Sequence, residues 1–118
     1  MSNIYKAVYD ALSALNYPVR EQGTYSEDEI LPDSLITYQL IDDPDLAHYE
    51  NIPVSKISRF QVNIYSKDPA VKQSADGLLR SVMLPAGFTR SGGRDLPYDS
   101  NTGHYGYASD YKYYETEV

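Results

Sequence analysis

At 118 residues, with 17 acidic against 10 basic side chains and a net charge of −7, the chain has room for one domain with a modest core. The acidity, with no run of Lys or Arg, argues against binding a phosphate backbone, and the lack of cysteine excludes disulfides, thiolate chemistry and cysteine-based zinc sites. No stretch approaches the ~20 apolar residues of a membrane helix. Met1–Lys6 lacks the apolar segment of a signal peptide, so a product of the cytoplasm with no membrane contact is expected.

The first element reads as a helix from a Ser2 cap to about Leu15, with Ile4, Val8, Ala11, Leu12 and Leu15 on one stripe. Pro18 biases Tyr17 away from helical geometry and ends it. Tyr17–Arg20 then suits a short edge strand, and Glu21–Asp33 a polar loop with an acidic run at Ser26–Glu29. Ser34–Ile41 reads as a strand with Ile36, Tyr38 and Leu40 on one face. Asp42–Pro53 is a long acidic loop.

Val54–Tyr65 is the clearest strand pattern, with Phe60, Val62 and Ile64 facing one way and Arg59, Gln61 and Asn63 the other. A second helix is announced by Asp68 as cap with Pro69 at its first position. Its stripe, Val71, Ala75, Leu78, Leu79 and Val82, repeats the spacing of the first, as any core-facing helix of that length does. Pro85 and Gly87 break it. Phe88–Arg90 suits a strand, Gly92–Gly93 a turn or kink, and Asp95–Thr102 a flexible loop.

The closing strand from Gly103 is the most unusual segment. Tyrosine accounts for 13 residues of the chain, against two Phe and no Trp. Tyr105, Tyr107, Tyr111 and Tyr113 share one face, and His104, Gly106, Ala108, Asp110, Lys112 and Tyr114 the other. The fold class expected is α+β: a two-layer domain spanning 1–118, with a mainly antiparallel sheet of four to five strands and two amphipathic helices on one face.

Chemistry-bearing clusters are sparse. Asp42, Asp43, Asp45, His48 and Glu50 have suitable oxygen ligands but miss the glycine and final glutamate of a calcium loop, so a solvated acidic loop is the better account. His48 and His104 have no partner motif, and no Gly-x-Ser-x-Gly elbow is present. Neither catalytic nor cofactor nor metal residues are assigned. Arg59, Gln61 and Asn63 suit either a solvated outer sheet face or a surface that meets a partner. Tyr105, Tyr107, Tyr111, Tyr113 and Tyr114 are more than core packing alone calls for, and an interface role is expected.

The opening helix leading into Leu15–Val19, the segment Phe60–Ser66 followed by Asp68–Val82, and the closing Gly103–Tyr114 together resemble the small tail-completion proteins of long-tailed bacteriophages and prophages. That family comprises tail terminators and tail-to-head joining proteins. The resemblance is one of architecture across most of the chain. It implies a non-enzymatic structural virion protein, a homo-oligomer closing as a ring (expected to be a hexamer) at the head-proximal end of the tail. The tail tube protein and the head connector or neck proteins would be its partners. The rival expectation is a small bacterial adaptor or protein-binding module unrelated to virions.

Overall fold

The computed structural model describes residues 3–26, 29–42 and 54–116. The elements run α1 (Ile4–Ser13), β1 (Val19–Glu21), β2 (Ser34–Asp42), β3 (Val54–Ser66), α2 (Pro69–Met83), β4 (Thr89–Asp99) and β5 (His104–Thr116). They form one five-stranded sheet in the order β1-β2-β3-β5-β4. All neighbouring pairs are antiparallel except β1 with β2. The α+β class, the element order and the two helices on one sheet face are as the sequence predicts.

Local chemistry sets the ends of the helices. Asn3 caps α1, its side chain accepting from the backbone of Tyr5 at 3.0 Å and Lys6 at 3.4 Å. The predicted cap, Ser2, lies outside the described residues. The helix stops at Ser13 rather than Leu15, and Asn16 takes the left-handed conformation (φ 64°) that asparagine tolerates better than most residues. Asp68 caps α2 as predicted, accepting from Ala70 N–H at 2.9 Å, with Pro69 in the first turn. At its far end Phe88 N–H reaches Met83 O and Gly87 N–H reaches Leu84 O, with Gly87 at φ 96°. This paired closure needs a residue free to adopt positive φ.

The core lies between the helices and one face of the sheet. Val8 and Leu12 of α1 and Ala75, Leu79 and Met83 of α2 meet Ile36, Tyr38, Phe60, Val62, Ile64 and Tyr111. Burial of each large apolar side chain contributes about 1.5–3 kcal/mol. Cross-strand rows make the contact continuous: Ile36 lies opposite Ile64, which lies opposite Tyr107, and Leu40 opposite Phe60, which lies opposite Tyr111.

The largest departure from expectation is β4. It runs unbroken from Thr89 to Asp99, so the Gly92–Gly93 turn and the Asp95–Thr102 loop become one edge strand. Register shifts fall between Arg90 and Gly92 and between Leu96 and Asp99. Glycines and Pro97 are tolerated because only one side of this strand is paired. The expected loop contracts to the turn Ser100–Gly103.

Candidate protein interface

The five tyrosines predicted to form an interface divide between the two faces of β5. Tyr111 is fully buried opposite Phe60, so it belongs to the domain's own core and not to an accessible contact surface. Among the described residues no group meets its hydroxyl at hydrogen-bond distance and geometry; burial raises its pKa above that of a free phenol, against a smaller opposing pull from the Ser109 side chain. Tyr113 is half-buried, its ring 5.1 Å from that of Phe88, and Tyr105 pairs with the Tyr98 ring at 4.7 Å. The expectation fails at Tyr111 because Ala75, Leu79 and Met83 leave depth that a large ring fills. Tyr114, on the opposite face, is 43% exposed.

Tyr107 serves a polar lock between α2 and β4. Its hydroxyl accepts from Arg90 Nη2 at 2.9 Å and donates to Asp76 Oδ1 at 3.2 Å. Arg90 Nε donates to the same carboxylate oxygen at 2.9 Å, and Arg80 Nε to the other, also at 2.9 Å. Burial alone would raise the Asp76 pKa. The hydrogen bonds from Arg80 and Tyr107 and the charges of Arg90 and Arg80 outweigh it and hold the carboxyl below its usual range. Gly93 makes the room, since a Cβ there would overlap the Tyr107 hydroxyl and come within 2.7 Å of Arg90. Lys72 and Asp95, 3.0 Å apart, form a second tie between the same elements.

The other sheet face is covered by neither helix. Arg59, Gln61 and Asn63 all point there, as predicted. They stand in a graded surface of cross-strand rows. Asp42 is in register with Arg59, and Arg59 with Lys112; then come Gln39, Gln61 and Asp110, then Thr37, Asn63 and Ala108. The amides form a directed chain in which Gln39 donates to Gln61 at 3.1 Å, Gln61 to Asn63 at 3.0 Å, and Asn63 to Thr37 at 3.1 Å. Asn63 is only 2% exposed, so it orders this chain and is not itself a contact residue. Gln61 and Arg59 are half-buried. Beside them one oxygen of Asp110 is buried with no donor among the described residues.

The last row is apolar: Leu35, Tyr65, Gly106 and Leu96. The Tyr65 ring lies across Gly106, where a Cβ would come within 3.0 Å of it. Burial raises the Tyr65 pKa and keeps the phenol neutral. Gln22, Gly23, Tyr25 and Leu31 on one side and Pro97, Asp99 and Thr102 of the β4–β5 hairpin on the other line a half-open cavity of about 300 Å³ at this end. His104 lines it, 4% exposed, with Nε2 donating to Pro32 O at 2.8 Å. In the neutral ring the lone pair is then on Nδ1, which has no partner among the described residues.

The sequence gives no signal for the Asp76–Arg90–Tyr107 lock or for the cavity, because both join residues from distant segments. Asp43, Asp45, His48 and Glu50 of the acidic loop lie outside the described residues. Among the described residues no group of three or more Asp, Glu or His is placed to hold a metal ion, and no helix is long and apolar enough to cross a membrane. Compared with known protein families and with curated proteins, the chain matches none.

Proposed function

We propose that the protein is a structural subunit of a long-tailed bacteriophage or prophage virion. In this reading it assembles as a ring, a hexamer, at the head-proximal end of the tail, where it terminates the tail or joins it to the head connector. The sequence resemblance supplies the identity of the assembly. The observation that carries a ring is the sheet's two unlike edges. On one side lies β1, three residues paired parallel to β2; on the other lies β4, eleven residues paired antiparallel to β5. Among the described residues no strand pairs with the outer side of either.

Open strand edges are ready contacts for another chain. When the two contact surfaces of a subunit differ, head-to-tail association closes into a ring or continues as a filament. The helix-free sheet face, with Tyr114, Gln61, Arg59 and the undonated oxygen of Asp110, adds a polar surface of the kind found at non-obligate interfaces. It offers the tail tube protein or a neck protein a surface that does not compete with the edges. No reaction step enters this account.

The test is electron microscopy of lysates after deletion of the gene from the phage or prophage that carries it. Overlong tails beside full heads are expected of a lost terminator, and normal-length unattached tails of a lost joining protein. Intact, infectious virions would overturn the proposal in favour of a cellular adaptor.

A further inference from the structure

We infer that the cavity at the apolar end of the open sheet face receives one basic side chain, arginine or lysine, from a partner protein. The inference rests on the assembly reading above for the partner being a protein. At about 300 Å³ the cavity sits at the small end of ligand pockets, a size suited to one long side chain. Leu35, Tyr25 and Tyr65 give it apolar and aromatic walls, which suit the aliphatic stem and the cationic head of such a residue.

The electrostatics select the charge. Asp99, an exposed carboxylate on the cavity rim, has no cationic partner among the described residues; its side chain accepts from Asn101 N–H at 2.9 Å, within the turn that closes the hairpin. The nearby cations are already engaged. Arg20 stacks on the Tyr25 ring at 4.3 Å from its centroid and pairs with Glu29 at 3.0 Å, and Lys67 pairs with Asp33 at 3.6 Å. An anion entering would meet Asp99 with no compensating charge on the walls. His104 adds a buried Nδ1 with no donor, a deficit that an incoming N–H relieves. Thr102 and Tyr65 supply further hydroxyls.

The experiment is a chemical-shift titration of the isotopically labelled full chain with N-acetyl-arginine amide and with N-acetyl-lysine amide. N-acetyl-citrulline amide, the uncharged match of the arginine probe, serves as control. Saturable shifts at Gly23, Thr37 and His104 with either charged probe, in the millimolar range, are expected. The citrulline probe is expected to bind at least about fivefold more weakly, as loss of a charge–charge attraction dictates.

Asp99→Asn keeps the acceptor for Asn101 and removes the charge, so it should weaken the charged probe by a similar factor. Thr102→Trp, which fills the cavity and leaves Asp99 in place, should abolish the shifts. Absent saturation, equal response to citrulline, or an unchanged Asp99→Asn would overturn the inference. That failure would leave the gene-deletion phenotype untouched, and a normal deletion phenotype would leave the probe binding untouched, so the two readings fail separately.

Discussion

At the scale of single residues, the tyrosines show how far side-chain alternation carries. Period two puts Tyr105, Tyr107, Tyr111 and Tyr113 on one face and Tyr114 on the other, and the sheet register agrees. Alternation does not say which face a helix covers. Tyr111 is therefore a core ring whose buried hydroxyl has no well-formed hydrogen bond among the described residues, Ser109 being its nearest polar influence. Removing an unmet buried polar group while keeping the ring avoids its desolvation cost. Tyr111→Phe is expected to leave the fold intact and to stabilise it by about 1 kcal/mol, measured by urea denaturation. Destabilisation by that variant would mean that the hydroxyl has a partner in solution.

At the scale of elements, α2 and β4 are joined by ionic contacts more than by apolar ones. Asp76 takes hydrogen bonds from Arg80, Arg90 and Tyr107. About a third of its side chain is exposed (37%), so solvent screens the pairs. Asp76→Asn is accordingly expected to cost only about 1 kcal/mol at neutral pH. The pH dependence follows from the lowered carboxyl pKa. The unfolded chain binds this proton more readily than the folded one, so the contribution is fully present above the unfolded value of about 4. It is lost as pH falls through the lower folded value. The difference in stability between wild type and Asp76→Asn should therefore vanish in strong acid. A difference that stayed constant down to pH 2, read by denaturant titration at each pH, would contradict the ionic lock.

The same pair of elements marks what was legible in the sequence. Asp68–Pro69 and the stripe Val71, Ala75, Leu78, Leu79, Val82 specify α2 by local chemistry, and its start is where they put it. β4 was obscured because Gly92, Gly93 and Pro97 are turn formers by local preference, and pairing with β5 overrides that preference at an edge. The lock was hidden for a related reason: Asp76, Arg90 and Tyr107 lie on three successive elements, 14 and 17 residues apart, and only the packing of α2 against the paired β4 and β5 brings them together.

At the scale of the whole molecule, one layer of two helices covers one side of a five-stranded sheet; among the described residues neither helix covers the other side and no strand pairs with the outer side of β1 or β4. A polar ladder orders the centre of that open face, and a small cavity walled by Tyr65, Asp99 and His104 lies at its apolar end. Arg59, Gln61 and Asn63 were legible as one polar face, but the division between Asn63 as an internal tie and Gln61 as an outer group depends on neighbouring strands. In the ring proposed above, a next copy would meet the sheet edges and a different partner the helix-free face. The most direct measurement is gold labelling of a tagged copy of the protein in purified virions of the phage that carries the gene, imaged by electron microscopy. Label confined to the junction of head and tail is the predicted result. Virions without label, with the tagged protein recovered only outside the particles, would contradict the account.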